Sequence, residues 1–223
     1  MILNYEGHKP IDLKNGVVTV LGTNNRKVYS DVILGLQDYN DKIKFFDDNY
    51  DYVDTKKALD WDGDIVDSQN LISKYNTEIV NVVFKELTDE QRLTINKCET
   101  NLYTAIQNAL LDLDLPIEVS YDGDLKKVLK ESKIHLSHSL NMDPYAIIET
   151  DFKIHMECND TSCIGLSNVA NYLSQDQLQE IISLNKKLNT SALLVEFTEF
   201  SNKDFYQKCD YYYIDEDFID WHL

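Results

Sequence analysis

The chain has 223 residues, 21 Lys+Arg against 39 Asp+Glu, a formal net charge of −18, and 43% hydrophobic residues. That apolar content is too high for a disordered acidic tail, and the length suits one large domain or two small ones with real cores. No run approaches the ~20 apolar residues of a membrane helix, and the opening MILNYEGHKPIDLK lacks the basic-then-apolar layout of a secretory leader. A cytoplasmic protein with no membrane partner is expected.

Residues 16–22 (GVVTVLG) form a β-branched apolar run bounded by glycines, which reads as a buried strand. After the polar turn 23–25, Val28, Val32, Ile33 and Leu36 recur at helical spacing, and Lys42–Phe46 reads as a second strand. Residues 47–64 are Asp-rich and predict a loop-dominated stretch. From about Val66 the pattern turns helical. Leu71, Ile72, Tyr75, Ile79, Val82, Val83 and Leu87 mark one helix. Thr88 with Gln91 forms a capping box that opens another, whose apolar stripe is Ile95, Leu102, Ile106, Ala109 and Leu110. Ile117–Val119 is β-like, the turn Tyr121–Asp124 follows, and a helix over 124–136 puts Leu125, Val128, Leu129 and Leu136 inward. The α/β alternation then resumes: helices over 144–157 and 174–188, with Ser174 and Gln177 as a second capping box, and strands at 162–166, 191–197 and 211–214. The expected fold is an α/β head (1–60 and 141–223) interrupted by an all-helical leg (61–140).

The first strand, turn and helix stand where a P-loop would stand. That loop needs glycines for backbone approach to phosphate, a lysine and a hydroxyl, whereas here only Gly22 and a Thr-Asn-Asn turn are present, with Lys27 as a partial stand-in. Two Asp-Gly-Asp triplets, 62–64 and 122–124, supply the hard oxygens that calcium prefers, though neither matches an EF-hand loop, and taken alone each is more often a solvated turn. Glu118, Asp122 and Asp124 are the candidate ligands. Next to them Lys126, Lys127, Lys130 and Lys133 crowd one helix, with 126, 130 and 133 on one face. That face is either an ordinary wet surface or a rail for a phosphate backbone. An acidic chain that binds DNA has to gather its lysines onto one surface in this way.

Cys98, Cys158, Cys163 and Cys209 are scattered without C-x-x-C spacing and read as small buried hydrophobes in a reducing compartment. His155 with Cys158 and Cys163 is the sole approach to a zinc set, and His135 and His138 share a surface face. No nucleophile elbow or Ser/His/Asp arrangement is present in the spacing.

Taken in order, KIKFFDDN (42–49), Asp64–Ser68, Leu87–Glu90, Tyr121–Gly123, Cys163–Asn168, Leu193–Glu196 and Tyr213–Asp217 resemble the small, ring-forming CRISPR-associated adaptation protein of type II-A systems, a csn-group family. The segments span nearly the whole chain. The resemblance implies a degenerate P-loop-like α/β head with a helical leg. It implies a homotetrameric ring that threads linear double-stranded DNA from its ends, with calcium in acidic clusters. It also implies no nuclease or ATPase activity, and a role in spacer acquisition beside the CRISPR integrase and effector nuclease. The chain departs from the family at Asn159-Asp160-Thr161, where a lysine run is usual, and at Val128, where a carboxylate is usual. Asp122 is therefore the best-matched ligand. Two other functions fit the residues: a nucleotide-dependent enzyme of P-loop descent, and an acidic protein–protein adaptor that does not touch DNA.

Overall fold

The computed structural model describes residues 1–65, 71–134 and 143–223, the side chains of 71–73 excepted. Val66, Asp67, Ser68, His135, Leu136 and His138 lie outside the described residues, as does the expected junction near 140. In chain order the elements are β1 (Ile2–Tyr5), β2 (Ile11–Asp12), β3 (Val18–Thr23), α1 (Arg26–Leu36), β4 (Ile43–Phe46), β5 (Tyr52–Val53), α2 (Thr55–Ala58) and β6 (Leu59–Gly63). Three helices follow: α3 (Leu71–Glu86), α4 (Asp89–Leu110) and α5 (Leu125–Glu131). The chain closes with α6 (Pro144–Cys158), β7 (Cys163–Ser167), α7 (Gln175–Leu188), β8 (Ala192–Phe197), β9 (Asp210–Ile214) and β10 (Asp220–His222). Two compact units result: Met1–Gln69 with Ser137–Leu223, and Asn70–Leu136.

The first unit is an α/β head built on a six-stranded sheet in the order β10-β9-β3-β8-β7-β6. Strands β6 to β9 and β3 run parallel, and β10 is antiparallel at the edge. All six residues of β3 are buried, as its continuous apolar run requires of a central parallel strand. Val18 to Thr23 lie opposite Ala192 to Phe197 of β8, so Gly22 faces Glu196 across the ladder. Asn25 caps α1, its Oδ1 accepting from Lys27 N at 2.9 Å and Val28 N at 3.3 Å, and the helix buries Val28, Val32 and Leu36. Ser174 and Gln177 close the expected capping box on α7.

Residues 47–64 are more ordered than their composition predicts. They supply β5, α2 and the edge strand β6, so the expected boundary at 61 falls inside a head strand. The polar residues of β6 hid it: Asp60 and Asp62 alternate on a strand whose apolar members, Leu59 and Gly63, are the buried ones. A second, antiparallel sheet in the order β2-β1-β4-β5 packs Leu3, Tyr5, Ile43 and Phe45 into the same core as Leu21, Val28, Leu193 and Val195.

The second unit is helical. Thr88 and Gln91 form the expected reciprocal cap at the start of α4. Arg92 closes the joint with α3 by donating to the carbonyls of Leu87 and Phe84 and lying over the Phe84 ring. Three expectations fail here. Ile117–Val119 forms no strand, and Val119 N is instead held by Gln107 Oε1 at 3.0 Å. The helix expected over 124–136 ends at Glu131, because Ser132 caps it and Lys133 takes a left-handed φ of 49°. Finally, Leu102, Ile106 and Ala109 are exposed instead of forming the inward stripe of α4.

Candidate functional site

Three places were singled out by the sequence or assembled by the fold. At the P-loop position, β3 runs into a tight turn and the N-terminus of α1, as in a nucleotide-binding domain. Here two of the free amides of that helix, Lys27 N and Val28 N, are already satisfied by Asn25 Oδ1. Asn24 Nδ2 donates to Glu199 Oε2 at 3.0 Å and Glu216 Oε1 at 3.4 Å, and Asn25 Nδ2 donates to the Glu216 carbonyl. A phosphate in this turn would meet two carboxylates. Gly22 has a packing role: a Cβ there would come within 2.7 Å of the Tyr211 hydroxyl oxygen and 3.0 Å of the Tyr213 ring.

Beneath the turn, Glu196 is almost fully buried. Its Oε1 accepts from Val169 N at 2.8 Å and its Oε2 from the Tyr206 hydroxyl at 3.0 Å. Burial pushes its carboxyl up to about 7 against these two donors, which pull it back down.

The second place is the acidic turn before α5. Asp124 is the helix cap, with Oδ1 accepting from Lys126 N at 3.0 Å and Lys127 N at 3.4 Å. Asp122 Oδ1 accepts from Asp124 N, and its Oδ2 lies 3.2 Å from Lys127 Nζ. The Asp124 amide and then Lys127 hold Asp122 below the usual carboxylate range, while Asp122 raises the Lys127 ammonium. Glu118 is exposed on the irregular stretch before the turn. Among the described residues, Glu118, Asp122 and Asp124 do not make up a group of three with ligand atoms converging within 4.8 Å. Of the lysines, Lys126 turns toward α3, 3.3 Å from Asn81 Oδ1 and 5.0 Å above the Phe84 ring. Lys127 pairs with Asp122, Lys130 is exposed in the last turn, and Lys133 lies beyond the helix end, so the expected face does not run through 133.

The third place was not anticipated as a unit. Two overlapping groups, Asp60/His155/Asp160 and Asp60/Asp62/Asp151, each bring their ligand atoms within 4.8 Å of one another. Asp151 and His155 are fully buried on α6, and His155 Nε2 lies 2.9 Å from Asp60 Oδ2. Asp160 Oδ1 also accepts from Ser162 N and Oγ. The oxygen set Asp60/Asp62/Asp151 has the hard donors that calcium takes, whereas the imidazole-containing set suits a borderline metal. At the acidic turn, Asp122 and Asp124 accept protein donors. The head set was legible in principle: Asp60 and Asp62 share a strand face at i, i+2, and Asp151 and His155 share a helix face at i, i+4. His155 is drawn to these aspartates and not to a Cys158/Cys163 zinc set. Of the four cysteines, Cys163 alone is fully buried, while Cys98 is exposed on α4.

No family model and no curated protein matches the chain. Among solved structures, the crystal structure of Stu0660 of Streptococcus thermophilus is similar, with a TM-score of 0.59 and 12% identity over 100% of this chain and 76% of that one. At that identity the likeness is one of fold: an α/β head interrupted by a helical insertion. No helix among the described residues is long and apolar enough to cross a membrane.

Proposed function

We propose that the chain is a non-enzymatic, calcium-assisted protein that binds the ends of linear double-stranded DNA as a homotetrameric ring. In that role it serves CRISPR spacer acquisition in the cytoplasm, beside the integrase and the effector nuclease. The observation that carries this function is the closed P-loop position. The head keeps the strand, turn and helix of a nucleotide-binding fold, but Asn25 occupies the helix amides and Glu199 and Glu216 flank the turn. That geometry disfavours a nucleotide-dependent enzyme and agrees with the degenerate head that the family resemblance implies. The exposed lysines 126, 127, 130 and 133 are the candidate phosphate contacts, acting as point charges that carry no base preference. Calcium would be held by Asp60, Asp62 and Asp151, whose carboxylate oxygens lie within 4.8 Å of one another.

The test is a gel-shift comparison of linear and covalently closed circular duplexes of one sequence, in millimolar calcium and in EDTA. Retention of the linear form alone, lost in EDTA, is expected. Equal binding to both forms sinks threading, and no binding to either favours an adaptor. Replacing the four lysines by alanine should weaken binding about tenfold or more and flatten its salt dependence. Unchanged affinity would remove these residues from the interface.

A further inference from the structure

Helix α4 leaves apolar side chains open to solvent. Its covered side mixes Asn96, Glu99 and Gln107 with Ile95, Tyr103 and Leu110, whereas Leu102 and Ile106 are 58% and 39% exposed. From Thr100 to Leu111 it carries no charged residue, in a chain that is 27% charged. An apolar, uncharged stripe of this kind on an otherwise acidic molecule marks an interaction surface.

Glu99 gives the surface its chemistry. It is 7% exposed, and its Oε2 has no hydrogen-bond partner among the described residues. It lines an open cavity of about 340 Å³ between α4 and α5, together with Cys98, Leu102, Tyr103, Val128 and Glu131. A carboxylate oxygen removed from water without a donor is unfavourable. Buried Glu99 and exposed Glu131 in an apolar-walled cavity match a side chain with an aliphatic stem and a cationic head, which is lysine or, better, arginine. The net charge of −18 attracts a basic partner.

We infer that the α4–α5 face docks a basic amphipathic helix of a partner protein. The apolar face of that helix covers Leu102 and Ile106, and one arginine or lysine enters the cavity to pair with Glu99. This docking is independent of DNA binding and of the ring.

The probe is a fluorescent 18-residue helical peptide of Leu, Ala, Gln and Lys with one arginine in its apolar face. Its twin carries citrulline, which has the shape of arginine without the charge. Anisotropy titrations use the full chain and no DNA, so failure here leaves the DNA proposal untouched. The arginine peptide should bind about 30-fold more tightly than the citrulline peptide, as pairing with a buried charge requires. Glu99→Gln should abolish that preference, and Leu102→Asp should abolish binding of both peptides. Melting of Glu99→Gln no lower than the parent chain shows that the loss is not unfolding. Equal affinity for the two peptides, an unaltered preference in Glu99→Gln, or no binding of the arginine peptide at millimolar concentration overturns the inference. So does a change in self-association of Glu99→Gln in sedimentation without peptide, which would make a second copy the occupant.

Discussion

Strand β8 in the head and helix α4 in the helical unit each bury a glutamate, and they treat it in opposite ways. Glu196 at the end of β8 is met by two donors, Val169 N and the Tyr206 hydroxyl, and the five residues Ala192–Glu196 are covered. Glu99 on α4 is also buried, with no hydrogen-bond donor on its Oε2 among the described residues, while leucines on the same helix face water. At Glu196 the head supplies both donors from within itself. On α4 a buried carboxyl oxygen has no donor among the described residues and apolar side chains stay uncovered, as on a surface that takes a partner.

The largest expected difference follows from burial. Phe152 on α6 is wholly inaccessible, so Phe152→Ala should destabilise the head by about 4 kcal/mol through lost burial and the cavity left behind. Leu102→Ala on α4 should change stability by no more than about 0.5 kcal/mol. Trp61 and Trp221 both lie in the head, so in urea denaturation tryptophan fluorescence reports that unit, and loss of helical circular dichroism in the same titration reports α4. A large loss for Leu102→Ala would mean that α4 is already covered, and the contrast would fall.

The same contrast separates what the sequence discloses from what it hides. β3, α1, β8 and the capping boxes at Thr88 and Ser174 are legible because each is specified locally: a β-branched run between glycines, an apolar 3.6 period, a hydroxyl with glutamine three residues on. β6 was hidden because its polar residues alternate in a period-two pattern that reads as an acidic loop. On α4 the apolar spacing locates the helix correctly, but of its stripe only Ile95 and Leu110 are partly covered, while Leu102, Ile106 and Ala109 face water. Periodicity states which residues lie on one side, and it does not state which side meets the core. The carboxylates of the head were visible singly, yet Asp60 and Asp151 come together only through the placement of α6 beside β6. Pairing across 91 residues has no local signal. The acidic turn was conspicuous for the reverse reason: Asp122 and Asp124 are adjacent, and their oxygens serve the start of α5.

Glu196 gives the next prediction, of intermediate size. Its folded carboxyl titrates at about 7, above an ordinary value of 4.5, so the folded head holds this proton more tightly than the unfolded chain. The protonated form is favoured on folding, and this contribution to stability is therefore complete below about pH 4.5 and is lost as pH rises through 7. The shift corresponds to about 3 kcal/mol. Glu196→Gln, which cannot ionise, should flatten the change in head stability between pH 5 and pH 8 in the tryptophan-monitored urea midpoint. An equal pH dependence in the two proteins would mean that the Val169 and Tyr206 donors fully offset burial, and Glu196 would then be ionised throughout.

The smallest effect is expected at the acidic turn, where it tests whether that turn is a metal site or a helix cap. Asp124 closes a seven-residue helix through the amides of Lys126 and Lys127, so Asp124→Ala should weaken α5 by about 1 kcal/mol, whereas Asp124→Asn keeps the acceptor and should cost little. Amide exchange at Lys126 and Lys127 reads this locally. Asp122→Asn removes an exposed pair with Lys127 and should leave that exchange unchanged at physiological salt. Calcium discriminates between the two roles. If the oxygen set of the head is the one that takes the ion, added calcium raises the melting temperature of the parent chain and of Asp124→Asn alike, and it fails to do so in Asp62→Asn. If Asp124→Asn abolishes the calcium effect while Asp62→Asn preserves it, the ion sits at the turn, and its binding has to displace Lys127 from Asp122.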